Sequence, residues 1–390
     1  MGTIHTALPD PDATLEGTAT AFRAWLADHE RDLEPFRHEL AEELDESVAR
    51  FRPLQQMLWD DGWNRLGWSP EHGGLGGTPV HRFVVAEELA AAGYVIPEIL
   101  GTIEIIAPML VRYAPHLAAT HLAASLRGDE VWCQGFSEPD AGSDLGSLRT
   151  RAAPDGDGFR LDGQKMWSSY GSLASWCCVL ARTGASDSGY RGLTMFWVDL
   201  SDPGVRVVPT RCATGRSETA EIFLDDVRVP AERLIGDVGE GWATVMYLMQ
   251  YERGAFAWGR QAEHHSQLRD LIHDHAEEFP AGADEIVGDA YLSMFALRSQ
   301  ARDTIARLAA GEALGPEISV DKLMLSSTEQ TITEAARRLL WPRVEIADDA
   351  TAAWWRQRWA YSRITTIYGG AAEVQRDLVA ERLLGLPRGR

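Results

Sequence analysis

Apolar residues recur first with a helical period, then with a strand period, then with a helical period again. Phe22, Trp25, Leu26 and Leu33 stand at i, i+3, i+4 and i+11 and predict a helix opening near Asp12. A second helix is expected through Phe51, Leu54, Met57 and Leu58. Glu71 to Gly77 is Gly-rich and predicts a loop; no Lys-Ser or Lys-Thr follows, so it is not a P-loop. Helical spacing resumes from His81 to about Gly128. Between Val131 and about Asp237 the period shortens to that of strands, at Val131–Phe136, Ser175–Ala181, Leu193–Val198, Val205–Val208 and Ala220–Leu224. Asp155-Gly156-Asp157-Gly158 reads as a hairpin turn. Helices are then expected over Gly241–His275, Ala283–Ala310, Pro316–Leu340 and Gly370–Leu384. The pattern predicts an α+β multi-domain chain: an N-terminal α-helical domain (1–130), a central β-domain (131–237) and a C-terminal bundle of four helices (238–390).

Composition narrows the function classes. A chain of 390 residues, 45% apolar and 24% charged, can bury several cores. Its net charge of −21 argues against nucleic acid or an anionic membrane as partner. The four cysteines (Cys133, Cys177, Cys178 and Cys212) show no Cys-x-x-Cys spacing, and the adjacent pair lies in an apolar run. Buried free thiols and a cytoplasmic location are the expectation. Neither a signal peptide nor a membrane span is evident. The first ten residues read as a loose tail; their match to a myristoylation pattern lacks a second anchor, so no lipid attachment is expected.

Candidate chemistry concentrates between Trp132 and Ser169. A short strand leads into the polar turn Ser137-Glu138-Pro139-Asp140-Ala141-Gly142-Ser143-Asp144, and the hairpin returns with Lys165-Met166-Trp167-Ser168-Ser169. Turn amides, hydroxyls and one indole on a β framework suit a flat ring with polar edges. A solvated turn beside a core tryptophan is the alternative for any one of these residues. Glu252 falls on the apolar stripe of Val245, Leu248, Met249, Phe256 and Gly259. A carboxylate there is either half of a structural ion pair or a base for a proton next to a carbonyl. Glu263, His264, His265, His273, Asp274 and His275 lack metal-binding spacing and read as a solvated helix end. There is no Gly-x-Gly-x-x-Gly between strand and helix, and no Gly-x-Ser-x-Gly elbow.

Ser-Glu-Pro-x-Ala-Gly-Ser-Asp followed by Gly-x-Lys-x-Trp-Ser-Ser resembles the flavin-binding signature of the acyl-CoA dehydrogenase family, with Ser137 and Ser169 where the family has Thr. The resemblance runs from about Phe22 to the C-terminus. It implies FAD held by Gln134, Phe136, Ser137, Gly142, Ser143, Trp167, Ser168, Ser169 and Gly370, and acyl-CoA contacted by Ser143, Arg253 and Gly369. The family's usual base lies in a C-terminal Tyr-Glu-Gly-Thr segment; here Tyr368-Gly369-Gly370 puts glycine in that place. A minority of members carry the base just before an arginine on the earlier helix, which corresponds to Glu252-Arg253. The resemblance therefore implies that Glu252 takes the α-proton while a β-hydride goes to flavin, with Glu373 in reserve.

The resemblance also fails in places. The Arg-x-x-Phe-Gly and Gln-x-x-Gly-Gly motifs, by which homotetrameric members grip a neighbour's dinucleotide, are replaced by His275-Ala276-Glu277-Glu278-Phe279-Pro280 and Leu339-Leu340-Trp341-Pro342-Arg343-Val344. That pattern resembles the actinobacterial heterotetrameric members, and implies an α2β2 tetramer with a second dehydrogenase-like subunit and an electron-transfer flavoprotein as electron acceptor. An oxidase or monooxygenase of the same fold, and a non-catalytic partner subunit, are the competing readings. The tryptophan-rich segment from Arg343 to Trp359 is either an interface patch or a loop packed on its own domain.

Overall fold

The computed structural model describes residues 8–37 and 43–387, so the myristoylation pattern lies outside the described residues. In chain order, helices α1 (Leu15–Asp28), α2 (Glu30–Leu33), α3 (Leu44–Asp60), α4 (Pro79–Ala91), α5 (Glu98–Tyr113) and α6 (Pro115–Arg127) come first. Strands β1 (Trp132–Gly135), β2 (Arg151–Asp155), β3 (Gly158–Ser169), β4 (Trp176–Arg182), β5 (Leu193–Asp199), β6 (Val205–Thr210), β7 (Thr219–Pro230) and β8 (Leu234–Ile235) follow. The chain ends in α7 (Gly241–Arg253), α8 (Ala255–His275), α9 (Ala283–Ala309), α10 (Ile318–Leu339), α11 (Arg343–Ile346), α12 (Ala350–Ser362) and α13 (Ala372–Leu378). Helix, sheet, helix is the order the periodicity predicts. The chain divides into two compact units: one contains Arg50–Pro97 and Glu252 onward together with the described residues before 38, the other Glu43–Ala49 and Glu98–Tyr251.

Local signals set the helix ends. Thr14 caps α1 by accepting from the Gly17 N–H at 3.1 Å. Asp349 does the same for α12 through the Ala352 N–H at 3.0 Å. Gly128, left-handed at φ +87°, closes α6.

In the strand unit the sheet runs β6-β7-β3-β2-β4-β5-β8, with β1 added in parallel beside β4. The Asp155–Gly158 turn closes the β2–β3 hairpin as expected. Ala220–Leu224 is the middle of a longer strand, β7, which pairs with β3 on one side and β6 on the other. Cys133, Ala152, Leu161, Cys177, Val179, Phe196, Val198 and Ile222 form one buried core. Cys133, Cys177 and Cys178 are buried free thiols and Cys212 is half-buried.

In the helical unit, Leu268, Leu271, Met294, Ile332, Leu339 and Trp355 share a core. Two expectations are corrected here. Gly241–His275 is two helices, because the glycine at 254 interrupts it. The break shifts the phase of the buried face, so Ala257, Trp258 and Gln261 are buried beyond it, while Phe256 and Gly259 are only half-buried. The tryptophan-rich stretch forms helices, not a loop: Trp355 enters the core and the Trp359 indole N–H donates to Glu334 at 3.1 Å. Among the described residues no three His, Cys, Asp or Glu side chains could hold a metal ion. No described helix is long and apolar enough to cross a membrane.

Asp321 of α10 is buried and accepts from the Thr304 hydroxyl at 2.8 Å and the Gln300 amide at 3.2 Å. Burial pushes its carboxyl up to about 6. The unfolded chain loses this proton at lower pH than the folded one, so stability falls as pH rises from about 4 to about 6. Asp321→Asn is expected to raise stability at pH 7 by on the order of 2 kcal/mol, and the unfolding temperature with it, and to do little at pH 4. Thermal scans at the two pH values check this.

Candidate functional site

The predicted residues fall into two groups, one in each unit. In the strand unit, β1 leads directly into the polar turn. The Glu138 and Ala141 backbones bond to each other at 2.8 and 3.1 Å, closing the turn around Pro139 and Asp140. The Glu138 side chain points inward. Its carboxylate accepts from the Arg149 N–H at 2.6 Å, the Thr150 N–H at 2.9 Å and the Lys165 ammonium at 2.7 Å. Lys165 is fully buried and also donates to the Phe136 carbonyl at 3.2 Å. Burial draws its ammonium down to about 8, against the pull of Glu138. Lys165 and its amide contacts in turn hold the Glu138 carboxyl below its usual range despite burial.

Gly135 makes room for this arrangement. A Cβ there would lie 2.9 Å from the Cys177 sulfur and 3.4 Å from the Lys165 stem. Sequence reading passed over Glu138 and Lys165 as a pair. The signal was available, since Lys165 alternates with Leu161 and Gly163 on the same face of β3 and so falls where a buried residue belongs.

Trp167 is presented by a bulge. Lys165 pairs with Ile222 and Ser168 with Ala220, so β3 carries one more residue than β7 across that step. Trp167 takes φ +60°, a strained value for a non-glycine residue, and its side chain is 52% exposed. The Met166 N–H donates to the Ser137 carbonyl at 2.9 Å, tying the turn to the bulge. Gly142, Ser143 and Ser169 are exposed, and Gln134 and Ser137 are half-buried. A Cβ at Gly142 would meet nothing within 4 Å. Phe136 is buried, and so is Ser168, whose hydroxyl has no hydrogen-bond partner among the described residues. One edge of the strand unit therefore offers an exposed indole, an open glycine turn and hydroxyls, braced from beneath by the Glu138–Lys165 pair.

The second group lies in the helical unit, where the end of α7 meets the segment before α13. Gly369 is left-handed at φ +64° and Gly370 at φ +100°. A Cβ on Gly369 would stand 3.1 Å from Glu252 Oε1. The Glu252 carboxylate thus occupies the space that a side chain at position 369 would enter. Its Oε2 is shut off from solvent. Arg253 donates from Nε to the Gly369 carbonyl at 3.0 Å and fixes that peptide. A Cβ at Gly370 would collide with the Gln375 side-chain amide. Glu373 is exposed in the first turn of α13, where an acid favours the helix dipole.

Two buried features were missed in the sequence. Lys322, 2% exposed, lies beside Gly369: its Cε is 3.6 Å from the same Cβ position that Glu252 approaches. It stands on the buried stripe of Ile318, Leu325 and Ile332 at helical spacing, which is the signal that could have found it. Glu329 accepts from Arg260 at 2.6 Å and lies 3.4 Å from His264, so one histidine of the predicted helix-end cluster belongs to a buried ion network.

The regions that replace the dinucleotide-gripping motifs are joined to each other. Arg343 donates to Glu278 at 2.8 Å and to Asp349 at 3.1 Å, and Glu278 also bonds to His275 at 2.9 Å. The arginine in this cluster is already matched by two carboxylates.

The chain is similar to known proteins along most of its length. The family descriptions "Acyl-CoA dehydrogenase, N-terminal domain", "middle domain" and "C-terminal domain" match residues 21–121, 133–227 and 239–384. "Acyl-CoA dehydrogenase IpdE1" of Mycobacterium tuberculosis is 35% identical over 350 residues, covering 88% of this chain and 90% of that protein. The solved "Tcur3481-Tcur3483 steroid ACAD" superposes with a TM-score of 0.79 at 25% identity, covering 98% of this chain and 100% of that one. The ChsE4-ChsE5 complex from Mycobacterium tuberculosis shares the fold, with a TM-score of 0.75 at 24% identity over 99% of each chain.

Proposed function

We propose that this chain, which belongs to the acyl-CoA dehydrogenase family, desaturates an acyl-CoA thioester between its α and β carbons, with Glu252 as the base. Membership makes it an oxidoreductase of a flavoprotein family. The single observation that carries the assignment of the base is the 3.1 Å approach of Glu252 Oε1 to the Cβ position of Gly369. A carboxyl group reaches the family's usual base position from a different element, and the glycine leaves it room.

The residues of the strand unit fit a flavin. Trp167 supplies an exposed face for stacking, Gly142 an open approach, and Ser137 and Ser169 hydroxyls for the ring edge. Bound there, FAD would supply the acceptor for the β-hydride, which carries both electrons. Glu252 removes the α-proton. The Gly369 N–H donates to the thioester carbonyl, where charge develops as the proton leaves, and Arg253 holds the carbonyl of the same residue. Ser143 is assigned a contact to the acyl-CoA.

The favoured substrate is an acyl-CoA with a steroid-derived acyl group, because the neighbour at 25% identity is described as a steroid dehydrogenase of this kind. The favoured assembly pairs this chain with a second dehydrogenase-like subunit. The His275–Glu278–Arg343–Asp349 cluster supports that choice, since its carboxylates repel a pyrophosphate and match its arginine. Electron-transfer flavoprotein is the proposed acceptor.

Co-purification from the native host tests these points together. The expected result is two chain types with one FAD per pair, and bleaching of that flavin by acyl-CoA without oxygen. A homotetramer with one tightly bound FAD per chain overturns the pairing. Oxygen uptake with no added acceptor assigns an oxidase instead.

A further inference from the structure

Lys322 is a buried cation with few ways to be satisfied. It leaves α10 toward the Gly369 segment, donates its ammonium to the Thr365 carbonyl, and places Nζ 4.0 Å from the centre of the Tyr368 ring. Its side chain passes within 3.6 Å of the Cβ position of Gly369, and Glu252 Oε1 comes within 3.1 Å of the same point. A lysine and a glutamate thus converge on one glycine from two elements. A carbonyl and an aromatic face hold the ammonium but do not neutralise it. An ammonium taken out of water needs an anion, and the carboxylate that converges on the same glycine is that of Glu252, half-buried with Oε2 shut off from solvent.

We propose that Lys322 is a positioning residue for the base: its ammonium keeps the Glu252 carboxyl ionised and directed at the space over Gly369. This rests on the assignment of Glu252 as the base. Other charges face the pair. Arg253, next to Glu252, adds positive charge from the end of α7 and opposes protonation of Lys322. Glu329, on α10 itself, favours the charged lysine. Arg260 and Tyr361 act on the neighbouring Tyr368. Burial lowers the Lys322 ammonium to about 8, with Glu252 the largest influence opposing the fall, so the lysine is still charged at neutral pH.

The role has a consequence that simple packing does not. Deleting the charge makes the carboxyl easier to protonate, so the acidic limb of the flavin-reduction rate moves to higher pH. An opposite charge within about 4–6 Å moves such a limb by about 1–3 pH units, which is at least tenfold in rate at a pH on the limb.

The experiment compares the assembled enzyme as wild type, Lys322→Met, Lys322→Arg and Glu252→Gln. Single-turnover flavin reduction is followed from pH 5 to pH 9. Infrared difference titration of the enzyme without substrate follows the carboxyl band that Glu252→Gln removes. The expected result is an upward displacement of both the limb and the band in Lys322→Met. Lys322→Arg should return both toward wild type. Superimposable profiles for wild type and Lys322→Met overturn the proposal and leave the base intact. If Glu252→Gln reduces flavin as fast as wild type, the base assignment falls by a separate measurement. If Lys322→Met does not fold, the arginine variant decides: a retained wild-type limb supports the charge role, and a limb displaced upward in that folded, charged variant overturns it.

Discussion

Glu252→Gln should leave flavin bound and slow its reduction by substrate about 10²- to 10⁴-fold, the range over which a positioned general base acts. The amide is the same size as the acid, so its contact with the space over Gly369 and the packing at the end of α7 are retained. What is lost is the basicity of the carboxylate that accepts the α-proton. Stability should fall as well, by about 1–3 kcal/mol, because the amide no longer offsets the buried Lys322 ammonium. Stopped-flow reduction and thermal denaturation on the same preparation separate the two readings that sequence left open. A base gives a large rate loss whatever the change in melting. A carboxylate that serves only an ion pair changes the melting and leaves the rate near that of wild type. The exposed Glu373 serves as the control, since Glu373→Gln should leave the rate within twofold of wild type.

Lys165→Met should destabilise the strand unit by about 3–5 kcal/mol, because it leaves the buried Glu138 carboxylate without its cation. The loss is not confined to stability. Glu138 holds the Arg149 and Thr150 amides, and the turn it anchors carries Ser137, Gly142 and Ser143. Flavin affinity should therefore fall along with the melting temperature. Pairing the change with Glu138→Gln removes the uncompensated charge and should recover part of the stability. Denaturant titration of the three variants, with FAD binding followed by quenching of flavin fluorescence, checks both effects. Wild-type flavin affinity in a destabilised Lys165→Met would show that the ion pair braces the fold without shaping the turn.

Much of the candidate site was legible because it is built from local patterns. The polar turn, the hairpin and the alternation around Trp167 are neighbours in the chain, and strand period and turn chemistry are short-range properties. The same is true of the order of helical and strand regions. Glu252 could be singled out because an acid on an apolar helical stripe conflicts with its surroundings, and that conflict is visible within two turns. The continuous helix through residue 254 was misread because one glycine inside a helical pattern is usually tolerated.

What sequence alone determined is the succession of elements, the family signature and a short set of polar residues in places that suit chemistry. Only the tertiary structure decided which of them meet. Glu252 and Gly369 are separated by more than a hundred residues, yet the carboxylate fills the space that the glycine leaves. Lys322 joins them from α10, and Lys165 on β3 finds Glu138 in the turn that follows β1. Each of these pairings depends on burial, where an unpaired charge is costly enough to select its partner, and burial is a property of the packed chain that no local stretch of sequence contains.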